Sequence, residues 1–171
     1  MIDFEIKIPD ELLNMNLSAA YIEARKRRLI PAMNRSVEIT QANVKGLVPE
    51  FSGAARASLM HTATQSPART VGKVTTTMRR PNIYIFVLNA GVAPGKKQPP
   101  VDSLVSWVMK KGLASDRATA SKVAYVIARS IKRKGLQGRS FMWTGLSKSE
   151  GKIEDLHRQA VAEITEDLSH A

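Results

Sequence analysis

Along the first residues, Ile2, Phe4, Ile6 and Ile8 alternate with charged positions. A period of two predicts a half-buried strand, with Pro9-Asp10 as its stop. From 17 to 47 the period changes. Tyr21, Ala24, Leu29, Met33, Val37, Val44 and Leu47 form a loose apolar stripe separated by charge, including the run Arg25-Lys26-Arg27-Arg28. That spacing predicts a long helix ended by Gly46 and Pro49. Pro31 falls inside it and is expected to kink it or open a second helix, because its ring removes an N–H and crowds the preceding turn.

A turn, a short helical piece and passage into a sheet are expected across 48–59. Residues 69–79 are rich in β-branched side chains, and 82–89 (Asn-Ile-Tyr-Ile-Phe-Val-Leu-Asn) are strongly β-forming, with Arg80-Pro81 between them. The pattern predicts an antiparallel hairpin over 69–79 and 82–89, with one face covered by a helix.

Residues 90–100 are a Gly/Pro/Lys loop. Val101, Leu104, Val105 and Val108 then recur at helical spacing to about Lys111, with Gly112 just past the end. Ser115 is a candidate cap for the next helix, which carries Val123, Ile127 and Ile131 on one face and stops at Gly135. Residues 135–146 read as a second loop, holding Arg139, Phe141 and Trp143. Ser147 and Glu150 have capping-box spacing. The last helix aligns Ile153, Leu156, Ala160, Val161, Ile164 and Leu168. The sum is one α+β domain over 1–171: a small antiparallel sheet packed against a long N-terminal helix (1–100), followed by a helical half (101–171). At 171 residues such a chain buries enough apolar surface to fold without staples.

Charge adds direction. The net charge is +11. Residues 1–50 hold seven basic and seven acidic side chains, 51–148 hold 17 basic and two acidic, and 149–171 hold two basic and six acidic. So basic a middle suits an anionic partner: nucleic acid, an acidic protein face, or the acidic tail of another copy. The alternative is a solvated basic face that keeps the monomer soluble.

Catalytic chemistry finds little footing. With no cysteine, disulfides and thiolate sites are excluded. His61, His157 and His170 lie far apart, without metal-ligand spacing. Gly91-Val-Ala-Pro-Gly95-Lys96-Lys97 is too short for a phosphate loop and lacks the Ser or Thr that would reach a metal ion. His61 near Ser58 lacks a third orienting group. No catalytic, cofactor or metal site is expected. The apolar runs are too short for a membrane span, the start is unlike a signal peptide, and a cytoplasmic place of assembly follows.

Read in order, several short motifs resemble the tail-completion and head–tail joining (neck) proteins of long-tailed bacteriophages. They are the turn Pro49-Glu-Phe-Ser52-Gly53-Ala-Ala-Arg56, the stretch Ile83 to Gly91, and the helix start Pro99-Pro100-Val101 with Trp107-Val108 and Lys111-Gly112. The helix Ala124-Tyr-Val-Ile127-Ala128-Arg-Ser-Ile131 ending at Lys134-Gly135, and the loop Gly138-Arg139-Ser-Phe141, complete the series. The order covers nearly the whole chain. Residues 87–91 lack the acidic and aromatic residues that the family often places there, which leaves open whether the position is tail terminator, completion protein or adaptor.

The resemblance implies a non-enzymatic virion protein, commonly a hexameric ring, between the tail tube and the head connector. The basic middle and the acidic C-terminal helix would then meet between neighbouring subunits. The candidate assembly residues are Lys96, Lys97, Arg129, Arg133, Arg139, Phe141 and Trp143. Trp107 and Phe141 fit the core equally well as residue types, and Trp107 is read as core, since large aromatics are mostly buried. Nonspecific contact with genomic DNA belongs to the same expectation. A dedicated nonspecific DNA-binding protein, or another minor tail protein, is the alternative.

Overall fold

The computed structural model describes residues 2–7, 19–49, 53–65, 69–77 and 84–169. Its Cα packing divides the chain into two compact units, one formed by 1–77 with 141–171 and the other by 78–140. The helical half therefore does not stay together, because its last helices pack back onto the N-terminal one.

In the first unit, Ile2–Lys7 forms β1, Leu59–Gln65 β2 and Arg69–Thr76 β3. The sheet is antiparallel in the order β1-β3-β2. The helix α1 (Ala19–Leu47) lies against it, and a single turn, α2 (Ala54–Ala57), precedes β2. The fold is α+β, as the hydrophobic pattern predicts. Along β3, Thr70, Gly72 and Val74 are buried while Arg69, Val71 and Lys73 point the other way. Val74 packs with Met33 and Val37 of α1 and with Ala63 of β2. Side chains buried this fully each contribute about 1.5–3 kcal/mol.

α1 runs through Pro31 as one helix, so Pro31 does not open a second one. Pro31 is exposed, so the carbonyl it deprives of a donor faces water and the ring meets no neighbour across a packed face. The other side of α1 receives α6 (Phe141–Ser147) and α7 (Glu150–Ser169). Ala24, Leu29 and Ala32 meet Ala160 and Ile164, with Tyr21 and Leu168 beside them. Val161, read as part of this stripe, is 54% exposed, since it sits one position off the buried face.

In the second unit, Tyr84–Ala90 forms α3, Val101–Lys110 α4 and Arg117–Lys134 α5. Two-residue strands, β4 (Gly91–Val92) and β5 (Leu136–Gln137), pair antiparallel. The predicted hairpin is wrong on two counts. Its second arm is the helix α3, and β3 pairs instead with β2 and β1. Since β3 has a neighbour on each side, it offers no free edge, and short apolar runs fit a helix as well as a strand. Arg80-Pro81 lies outside the described residues.

α4 and α5 form the core of this unit. Val105 and Val108 pack on Ala120 and Ala124, with Leu104, Trp107, Val123 and Ile127 partly buried around them. Trp107 thus packs against the core as a partly buried side chain. Gly112, at φ 68°, closes α4: the Gly112 N–H donates to the Met109 carbonyl and the Leu113 N–H to that of Val108. The cap of α5 is Asp116 instead of Ser115; its carboxylate accepts from the Thr119 N–H at 2.8 Å. That bond holds the Asp116 carboxyl below its usual pKa.

Candidate functional site

The last turn of α5 carries Lys132, Arg133 and Lys134, cations that complement the negative end of the helix dipole. Gly135 then turns the chain at φ 79° and lets it run close to the preceding loop. A Cβ there would stand 2.5 Å from the Val92 carbonyl oxygen, so only glycine fits. Nearby, the Gly95 N–H donates to the Lys132 carbonyl at 2.7 Å. The Arg139 and Ser140 N–H groups donate to Leu88 and Asn89 at 2.9 and 3.0 Å. The loop between α3 and α4 is therefore fastened to the C-terminal end of α5, and Lys96 and Lys97 follow directly on its anchor.

Five sequence candidates, Lys96, Lys97, Arg129, Arg133 and Arg139, lie exposed in this unit. Phe141 and Trp143 belong to the other. There Trp143 is 66% exposed, but Phe141 is 2% exposed and occupies the interior. The segment that holds both is the helix α6, where a loop was predicted, and positions two apart on a helix face different ways.

The partition of charge follows the units closely. The unit 78–140 carries thirteen Lys and Arg against two Asp, a net of +11, and the other unit carries thirteen against thirteen. The two Asp of the basic unit are Asp116, which caps α5, and Asp102, in the first turn of α4. Among the described residues, no ion pair involves Lys96, Lys97, Lys122, Arg129, Lys132 or Arg133.

In the neutral unit the acidic C-terminal helix meets cations of its own chain. Arg28 grips Asp167 through Nε and Nη2 at 3.0 and 3.1 Å and reaches Glu163 at 2.9 Å, and Arg27 reaches Asp167 at 2.6 Å. The hydrogen bonds from Arg28 and then Arg27 hold the Asp167 carboxyl at about 2. Further along the same interface, the Ser36 hydroxyl donates to the Ala32 carbonyl and lies 3.2 Å from His157 Nε2. Burial pushes the His157 pKa below its ordinary 6.5.

Both shifts are downward, so the stability each contributes is present above the ordinary pKa and lost as pH falls. The contact between α1 and α7 should weaken in two steps, the first below about 6.5 and the second from 3.8 towards about 2. Thermal unfolding followed from pH 7.5 to 5 should show the first step in the native protein and lose it in His157→Gln.

The imagined Ser58–His61 pair does not form. His61 Nδ1 lies 3.1 Å from the Gln41 side-chain oxygen, whose amide nitrogen donates to the Leu59 carbonyl at 2.6 Å. The Ser58 hydroxyl donates to Ala55 and meets Thr76 Oγ1 at 2.8 Å. A concavity of about 320 Å³ lies on the outer face of the sheet, lined by Thr62, Thr64, Gln65, Arg69, Val71 and Lys73. Among the described residues no group of acidic or histidine side chains has the arrangement of a metal site, and no helix is long and apolar enough to cross a membrane.

Ser147 and Glu150 touch through their side chains at 3.4 Å; neither bonds the other's backbone, so the predicted capping box is not made. Instead, the buried Ser149 hydroxyl accepts from the Asn43 amide at 2.9 Å and donates to the Gly145 carbonyl at 2.8 Å. Sequence reasoning missed this tie between α1 and the last two helices. No family model matches the chain, and neither a curated protein nor a solved structure matches it.

Proposed function

We propose that the chain is a structural virion protein of a tailed phage that completes the tail and joins it to the head connector, acting as a homo-oligomeric ring, commonly of six copies, in the neck of the virion. The observation that carries this reading is the helical pair α4–α5 with its fastened loops. The motifs of the resemblance mark its boundaries in order: Pro99-Pro100 before α4, Lys111-Gly112 at its end, and Lys134-Gly135 at the end of α5. Both loops end in exposed groups suited to contact with other chains, Lys96 and Lys97 in one and Arg139 in the other. Trp143 adds an exposed aromatic of the kind that anchors interfaces.

The pairing of the acidic helix with Arg27 and Arg28 alters one part of the expectation. Glu163 and Asp167 already have partners in their own chain, so they are poor candidates for charge pairing between subunits. The ring proposed here is held by the loops and by Trp143.

Assembly is the test. Mixed with phage tail tubes, the protein should leave its 18.8 kDa monomer and co-sediment with the tubes. A protein that stays monomeric and in the supernatant would count against the reading.

A further inference from the structure

The buried side of α5 is an alanine stripe, Ala120, Ala124 and Ala128. Its opposite side is exposed and also carries Tyr125 and Val126. There Lys122, Arg129 and Arg133 recur at i, i+7 and i+11, so that three cations stand along about 16 Å of helix axis. The Gly95–Lys132 hydrogen bond brings Lys96 and Lys97 to the end of the same row. We infer that this outer face of α5, together with the fastened loop, is a binding surface for the phosphate backbone of duplex nucleic acid.

Charge complementarity selects the occupant. A duplex presents one negative charge per ~1.7 Å of axis, a dense linear array that a straight row of cations can follow. Guanidinium forks such as those of Arg129 and Arg133 bond phosphate oxygens two at a time. The row has no Asn or Gln to pair with adenine and no acid to accept from cytosine, and its Lys and Arg stand one to two helical turns apart, spaced along a backbone instead of gathered on one base step. Contact is therefore with the backbone and independent of sequence. The competing occupant, the acidic helix of a second copy, offers a sparser array, because two of its six carboxylates, Glu163 and Asp167, are held by Arg27 and Arg28. This inference stands apart from the tail reading: the surface binds duplex whether or not the chain forms a ring.

The experiment uses the full chain and two fluorescent 25-base-pair duplexes of unrelated sequence, titrated from 50 to 300 mM salt. Both duplexes should bind equally, with log K falling against log salt at a slope of about −3 to −5, reflecting roughly 0.9 per phosphate neutralised. Two triple variants lower the net charge by the same amount: Lys122→Glu with Arg129→Glu and Arg133→Glu, and Lys26→Glu with Lys148→Glu and Lys152→Glu. The first should lose about 100-fold in affinity at low salt and flatten the slope by about 3. The second should lose less than about 3-fold. All six positions are exposed, so circular dichroism should find both variants folded.

Equal losses in the two variants would overturn the assignment, showing that net charge and not this face does the binding. So would a strong preference for one duplex, or no salt-dependent binding at all. Polyglutamate that competes as well as unlabelled duplex at equal charge would overturn it in favour of an acidic protein partner.

Discussion

Phe141→Ala is expected to destabilise the protein by about 3–5 kcal/mol, the range for truncating a large aromatic in a packed interior. Trp143→Ala, two residues on, should change stability by less than about 0.5 kcal/mol. The contrast follows from burial, since Phe141 is 2% exposed and Trp143 66%. In sequence the two differ little: both are aromatic candidate contact residues, and Phe141 fits the core as well. Urea denaturation of each variant separates them. Equal losses would mean that α6 does not sit on the first unit as described. If Trp143 anchors a partner, Trp143→Ala should also abolish co-sedimentation with tail tubes while leaving the unfolding midpoint in place.

The second large effect is at Gly145. This glycine is buried in α6, and a Cβ built on it would lie 2.5 Å from Val44 Cγ2 and 2.9 Å from the Val44 backbone nitrogen. Contacts that short require α6 to lift away from α1, which would stretch the Asn43–Ser149 hydrogen bond as well. Gly145→Val should cost about 3 kcal/mol or more, although valine has a better helix propensity than glycine and nothing else in the turn changes. Gly145→Ala should cost less, and Val44→Ala in the same chain should recover part of the loss by removing the nearest methyl. Recovery can only be partial, since the backbone atoms of Val44 remain. A double-mutant cycle reads this as a coupling of about 1 kcal/mol or more, and simple additivity would show that the two helices are not in contact there.

Gly145 also explains a misreading. A glycine in Phe-Met-Trp-Thr-Gly-Leu-Ser suggests a loop, yet the stretch is a helix. Its role is close helix packing, and the need for that packing lies in Val44, a hundred residues away. Residues 84–90 failed for a related reason. Their composition favours a strand, but β3 is already paired on both sides, and composition carries no record of which edges are occupied.

Where periodicity was strong the sequence was readable. The stripes of α1, α4 and α5 predicted those helices to within a few residues, and Gly112 and Gly135 marked their ends. The candidate surface was half legible. Lysines and arginines in Gly/Pro-flanked loops or on the polar face of a helix are exposed almost by default, and the five basic candidates are. The hydrogen bond from Gly95 to Lys132 that brings Lys96 and Lys97 to the end of α5 was not legible, because nothing in either segment names the other. Nor was the division of charge. A linear window finds a basic middle, whereas the structure shows one unit carrying the whole excess and the other, assembled from both ends of the chain, balanced.

The most direct test of the central claim is negative-stain imaging of phage tail tubes after mixing with the purified chain. The account predicts a ring-shaped cap at one end of each tube, absent when Trp143→Ala replaces the native protein. Tube ends that stay as bare as those of untreated tubes, with the protein remaining in solution, would contradict it.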